Sequence, residues 1–364
     1  MTTTSRPSRL AARFVAAVAL FAAGPASAWN APGHRTVTRI AIATLPEDAP
    51  EWLRSETAIE AATYQCYEPD RWRGTPLPAL KQRNDPDHYL DVELLAAHGM
   101  SLATLPPLRY PFVAQLVRTP PESTERRGVI AFNSATVGFL PYAISEHYAL
   151  LVSSFNTVRI LETLDADVVA PEARDRMLAT ARQNAWREMG QLSHFVGDAG
   201  QPLHTTIHHH GWTGENPHGY TTEPGFHAYV DGAIVSHHHL DGSTLRPWCK
   251  PLPMYDPEDA WTPAIELIGR SFSGVEPLYR LQQSGALEGD EGRDFIADRL
   301  TDAAAVLAGM YWAAWQASAP TPQQRADFIR YNEFDPPPAP PVDPAPIDPA
   351  MGAPAAATTS GTTP

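Results

Sequence analysis

Apolar residues recur at three- and four-residue intervals through much of the chain, the spacing of a helix with one buried face. Within residues 34–45, Val37, Ile40, Ala41 and Ala43 follow it. A longer apolar-periodic stretch covers residues 130–161, where Pro141 marks a start or a kink because proline removes an interior backbone donor. Residues 172–196 and 293–317 carry the clearest amphipathic patterns. The intervening segments 64–87, 106–127 and 211–225 are proline-rich and polar and read as loops. No strand-rich section and no internal repeat interrupts the pattern. Residues 335–364 hold ten prolines among Ala, Thr, Ser and Gly, with almost nothing to bury, and read as an extended or disordered tail. The expected fold is all-α: one mainly helical domain over residues 29–334, with long functional loops, followed by the tail.

Composition narrows the chemistry. The 364 residues are 43% hydrophobic, with nine Trp, twelve Tyr and twelve Phe, enough for a sizeable core. Twenty-seven Lys and Arg face 41 Asp and Glu, a net charge of −14. That excludes a simple basic nucleic-acid-binding module, which neutralises phosphates with clustered cationic side chains. Any anion bound here must meet positive charge from another source, and metal ions could supply it.

The first 28 residues carry an address. Arg6, Arg9 and Arg13 precede the apolar run Phe14 to Ala23, and Ala26-Ser27-Ala28 follows. A charged head, a short apolar middle and small residues at the end form a secretory signal peptide. The run is too short for the ~20 residues of a spanning helix. Cleavage would remove three arginines and no acid, taking the charge from −14 to −17 and leaving Trp29 first. The product is expected to be exported, to a periplasm or the extracellular space. In such a compartment Cys66 and Cys249 could form a disulfide, with two separate thiols as the alternative. Two cysteines without a CxxC pattern argue against a thiolate zinc site.

Histidines and carboxylates recur at ligand spacing. His194 and Asp198 lie four residues apart, one helical turn, and Pro202 then breaks the helix before His204. His227 and Asp231 repeat the spacing, and His88 is followed by Asp91. Imidazole and carboxylate donors without thiols suit zinc. Cleavage before Trp29 would add a free α-amino group five residues ahead of His34, able to chelate together with its own carbonyl oxygen. The runs 208–210 and 237–239 read as exposed loop histidines.

Taken together, Trp29, His34, Asp70, Arg73, His88, Asp91, His194, Asp198, His204, His227 and Asp231 resemble, in order and in most spacings, the trinuclear zinc nucleases of the S-one/P-one type, which share a superfamily with zinc-dependent bacterial phospholipase C. The resemblance runs from Trp29 to about Asp231. It implies three zinc ions: one held by Asp70, His88 and His194; one by the Trp29 amine and carbonyl with His34, Asp198 bridging these two; and one by His204, His227 and Asp231. It further implies that Arg73 grips the substrate phosphate, that Asp91 orients Arg73, and that Tyr89 stacks on a base. His237 and Asp241 have the same spacing as His227 and Asp231, but Pro224-Gly225-Phe226-His227 resembles the superfamily's approach to its last ligands. Gly232 stands where the nucleases carry a base-reading asparagine, and the stretch from His88 to His194 is longer than in fungal members.

Three functions are in contention. One is a nuclease cutting P–O3′ bonds of single-stranded DNA, RNA and 3′-nucleotides. The second is a phospholipase C acting on phospholipid head groups. The third is a non-enzymatic zinc buffer. The terminal amine gives a direct test, because an upstream peptide would convert it into an amide, a poor metal donor. Protein made with extra residues before Trp29 should lose one zinc and most activity, and proteolytic exposure of Trp29 should restore both. Full zinc content in the extended form, read by elemental analysis, would make Trp29 a plain core aromatic.

Overall fold

The structure, a computed structural model, describes residues 29–118 and 137–334. The expected signal peptide, the expected tail and residues 130–136 of the long apolar stretch lie outside the described residues. The all-α expectation holds: the described residues contain helices, turns and a single isolated bridge between Leu90 and Gly138, with no strand. No helix among them is long and apolar enough to cross a membrane.

In chain order the principal helices are α1 (Ala31–Ala43), α2 (Glu56–Gln65), α3 (Glu68–Arg73), α4 (Pro78–Asn84), α5 (Arg109–Arg118), α6 (Leu140–Glu162), α7 (Pro171–Gly200), α8 (Trp261–Ser273), α9 (Val275–Ser284), α10 (Asp290–Ala317) and α11 (Pro322–Tyr331). Pro141 starts α6 rather than kinking it, since its missing N–H falls among the donors that a first helical turn leaves unbonded. The same reasoning corrects the reading of the proline-rich segments as loops. Pro69 and Pro78 lie in the first turns of α3 and α4, and Pro111 lies in α5.

Helix α7 is the spine. Only scattered positions such as Ala181 and Ala185 are buried in its first half, but every residue from Met189 to Gly200 is. It packs against α1, α2, α6, α8 and α10. Thr38 of α1 and Ser193 of α7 share a hydroxyl hydrogen bond of 2.7 Å, and the Tyr311 hydroxyl of α10 donates to the Met189 carbonyl at 2.6 Å. These two bonds pair polar atoms that are buried where the helices meet.

An irregular segment crosses the end of the spine. Residues 85–88 form a 3-10 turn, and residues 89–91 run extended between two neighbours before a second 3-10 turn at Val92–Leu94. On one side Asp91 N donates to the Val137 carbonyl at 2.8 Å, and Leu140 N donates to the Tyr89 carbonyl at 3.2 Å. On the other, Leu90 N reaches the His204 carbonyl at 2.9 Å and Val92 N the Thr205 carbonyl at 3.2 Å. Both sides are thus sewn by backbone bonds, which fixes His88, Tyr89, Asp91 and His204 relative to one another.

Gly138 allows this crossing. Its φ is +90°, and a Cβ there would lie 2.0 Å from the Tyr89 carbonyl oxygen. Gly138→Ala should therefore combine backbone strain with a clash against main chain, and lower the unfolding free energy by about 2–4 kcal/mol. Urea unfolding measures this, and a change within experimental error would mean that the crossing is loosely held.

Candidate metal centre

The last two turns of α7 place His194 and Asp198 on one face, where both are fully buried. α1 brings His34 against that face. A Cβ on Gly197 would lie 2.7 Å from His34 Nδ1, so the glycine is what lets the imidazole approach the helix. α3 supplies Asp70, the 3-10 turn supplies His88, and the turn after α7 supplies His204. His227 lies in a short helical turn, Phe226–Ala228, which continues as a π-helical turn, Tyr229–Ile234, carrying Asp231. All eight side chains are buried.

Asp198 is their meeting point. Its Oδ2 lies 3.1 Å from His88 Nδ1, 3.4 Å from His194 Nε2 and 3.9 Å from His204 Nδ1, and its Oδ1 lies 3.4 Å from His34 Nε2. His88 Nδ1 and His194 Nε2 are 3.0 Å apart, and Asp70 Oδ1 is 3.9 Å from His88 Nδ1. On the far side His227 Nε2 and Asp231 Oδ2 are separated by 3.1 Å, and the His204 and His227 rings meet edge to face at 4.8 Å. Three groups have potential ligand atoms within 4.8 Å of one another: His34, His194 and Asp198; Asp70, His88 and His194; His204, His227 and Asp231. In a tetrahedral zinc site with bonds of 2.0–2.1 Å, neighbouring ligand atoms lie about 3.3 Å apart. Several separations here are already that short.

Two of the imidazoles are oriented as metal ligands are. His194 donates through Nδ1 to the Cys66 carbonyl at 2.8 Å, and His204 through Nδ1 to the His88 carbonyl at 2.5 Å, leaving each Nε2 with the lone pair. Gln201 donates to Asp231 Oδ1 at 2.5 Å, and Asn84 Nδ2 lies 3.1 Å from His88 Nε2. His34 Nδ1 and Nε2, Asp198 Oδ1, His204 Nε2, both nitrogens of His227 and Asp231 Oδ2 are buried and make no hydrogen bond within the protein. Buried polar atoms left this way are costly unless an ion or water meets them. The residues present therefore fit divalent metal.

Electrostatics agree. Burial pushes His34 and His204 down to about 3, and pushes His88, His194 and His227 well below the usual imidazole value. All five are neutral, the ligating form, at physiological pH. Burial, reinforced by neighbouring carboxylates, holds Asp198 well above the usual carboxylate range, and burial does the same to Asp231. A cation is what would let these carboxylates ionise in place.

A cleft opens over the cluster, lined by Arg73, Tyr89 and Asp91 together with His88, His204 and His227. Arg73 Nη1 lies 3.7 Å from Asp70 Oδ1. Trp29 is fully buried, its indole in the core, and Asn30 N donates to the Asp231 carbonyl at 3.3 Å, so the start of the described chain lies against the Asp231 turn. The alternative pair does not assemble: His237 is exposed, with Nε2 on the Glu288 carbonyl, and Asp241 caps its own turn through Ser243 and Thr244. Two expectations need correction. His209 and His210 line the cleft rather than an unrelated loop. The Cys66–Cys249 disulfide does not form: Cys66 is buried at the C-terminal cap of α2, with its carbonyl on His194 of α7, whereas Cys249 is exposed. The supports Asn84, Gln201 and the Cys66 carbonyl carried no mark in the sequence.

No protein-family model matches the chain, and no curated protein sequence matches it.

The pH dependence has a defined sign. Raised carboxylate values make the metal-free fold less stable as pH climbs above their ordinary range, and lowered imidazole values make it less stable as pH falls below 6.5. A divalent ion needs ionised carboxylates and neutral imidazoles, so protons compete with it and its stabilisation grows with pH. Saturating zinc should raise the unfolding free energy by about 3 kcal/mol or more at about pH 7.5, and by clearly less at about pH 5.5. Asp198→Asn should abolish most of that gain, while Glu172→Gln at the exposed start of α7 should not. Urea unfolding with zinc or chelator reads both effects, and a pH-independent gain would contradict this assignment.

Proposed function

We propose that the chain is an exported zinc-dependent phosphodiesterase, a nuclease that hydrolyses P–O3′ bonds in single-stranded DNA or RNA and in 3′-nucleotides. The observation that carries this reading is the combination of three buried His/Asp groups around Asp198 with Arg73 and Tyr89 on the wall of the same cleft. Zinc is the favoured ion because the donors are imidazoles and carboxylates without thiolate. Three ions would supply positive charge to receive an anionic diester and to activate water.

The chain's own residues have separate tasks. Asp70, His88 and His194 would hold one ion, His34 and the Trp29 terminus a second, with Asp198 shared, and His204, His227 and Asp231 a third. Arg73 bonds a non-bridging phosphate oxygen through its planar fork of N–H donors. Asp91, buried on the cleft wall, orients Arg73, and Tyr89 offers an aromatic face for a base. An acidic chain can then bind an acidic substrate, because the positive charge is concentrated where the phosphate sits.

One observation favours phospholipase C as a second reading. A Cβ at Gly232 would lie 2.8 Å from Asn30 Nδ2, so this position is filled by Asn30 and offers no side chain to read a base. A panel of single-stranded DNA, RNA, 3′-nucleotides and phosphatidylcholine vesicles, tested on zinc-loaded protein, separates the two readings. Cleavage of nucleic acid but not lipid is expected. Arg73→Ala should keep its zinc and its fold but slow hydrolysis by about 10- to 1,000-fold, the cost of one charge-stabilising group. An unchanged rate would remove Arg73 from the reaction, and no hydrolysis of any phosphodiester by the parent protein would overturn the proposal.

A further inference from the structure

Gln201 lies between two candidate ligands in the sequence and reaches a third across the fold. It closes α7 and is fully buried. Its main-chain N–H donates to the Asp198 carbonyl, and its own carbonyl accepts from His204 N, both at 3.0 Å. The side chain makes two more bonds. Oε1 accepts from the Leu203 N–H at 2.6 Å, which caps the 202–204 turn, and Nε2 donates to Asp231 Oδ1 at 2.5 Å.

The direction of this amide is fixed. A main-chain N–H can only donate, so the atom facing Leu203 is the carbonyl oxygen and the one facing Asp231 is the NH2 group. Asp231 Oδ1 therefore has its partner inside the protein. Asp231 Oδ2 has none: it is buried, lies 3.1 Å from His227 Nε2, and makes no hydrogen bond. His227 Nε2 and His204 Nε2 are buried and unbonded as well. These are the three residues whose potential ligand atoms lie within 4.8 Å of one another. A carboxylate free to turn can present either oxygen or both. Here turning would leave a buried amide without its acceptor, so the group is held with Oδ2 toward the two imidazoles.

We propose that Gln201 is a positioning residue for the divalent cation at His204, His227 and Asp231, holding Asp231 so that it binds through Oδ2 alone. This rests on those three residues being a metal site. The same side chain caps the turn that carries His204, so one amide sets two of the three ligands against each other. One atom from each ligand gives three protein donors, which leaves a position open for water or a phosphate oxygen. A second oxygen from Asp231 would fill that position. Gln201 keeps it open by keeping Oδ1 engaged.

Gln201→Met tests this, because methionine keeps the length of the side chain but has neither the amide donor nor the carbonyl acceptor. The readouts are metal retention against a chelator, the visible spectrum of cobalt-loaded protein, and urea unfolding with zinc and with chelator. Gln201→Met should release its most weakly held ion at about 10- to 100-fold lower chelator concentration, with an altered cobalt spectrum and a smaller zinc-dependent gain in stability. Gln183→Met, at an exposed position of α7, should match the parent. A purely structural role would weaken the metal-free and zinc-loaded forms alike and leave retention, spectrum and gain at parental values, and that result overturns the proposal. If Gln201→Met does not fold, Gln201→Asn takes its place with the same expected results, since its amide is one carbon too short to make both bonds. Asp231→Ala should lose one ion. If it keeps every ion, the metal site itself is wrong and the proposal falls with it. None of these readouts needs a substrate, so an inactive parent protein would count against the phosphodiesterase reading alone.

Discussion

Asp198 lies in the last turn of α7, where the helix carbonyls concentrate partial negative charge, and it is fully buried among other carboxylates. No arrangement of neutral groups makes this place comfortable for an ionised acid. Three imidazoles reach its two oxygens within 3.4 Å, but burial keeps those imidazoles neutral, so they cannot balance its charge as protonated partners. Lone pairs from several elements instead converge on the same small volume. The arrangement becomes sensible once cations are the intended contents, and the helix terminus then favours them as well.

The rest of the architecture serves that convergence. The candidate ligands come from α1, α3, the 85–88 turn, the end of α7, the 202–204 turn and the 226–234 turns, so no single element could assemble them. The segment 89–92 is sewn to residues 137–140 on one side and to residues 204–205 on the other, which couples His88 to His204 through main chain. That coupling continues in the His204 ring, which bonds the His88 carbonyl directly. Rigid main-chain bonds are a suitable support for ligands that must sit within a few tenths of an ångström of an ion.

Much of this was legible in the residues. Helical periodicity located α1, α6, α7 and α10, and the four-residue spacings of His194–Asp198 and His227–Asp231 marked pairs that do meet. These are local signals, carried by one helical turn. What stayed hidden depends on tertiary approach. A proline in a helix's first turn reads the same as a proline in a loop, so α3, α4 and α5 were missed. The carbonyls of Cys66 and His88 that orient two imidazoles have no sequence signature at all. His209 and His210 looked like surface residues because nothing local distinguishes them from residues 237–239. The expected disulfide failed for the same reason: export permits a bond, but only the fold decides whether two thiols meet.

The charge balance links these levels. With 41 acidic residues against 27 basic ones, the chain gains little by attracting phosphates over its surface. Its buried carboxylates make the metal-free state costly, because Asp198 and Asp231 must either stay protonated or ionise against burial. Divalent ions bound there would relieve that cost and, in the same step, would create a positive surface at the floor of the cleft beside Arg73. Stability and affinity for an anion would then draw on one event. Under the proposed function an acidic surface would help rather than hinder: it would disfavour polyanions away from the cleft, where the metals and Arg73 would outweigh it, so that binding would be confined by exclusion as much as by attraction.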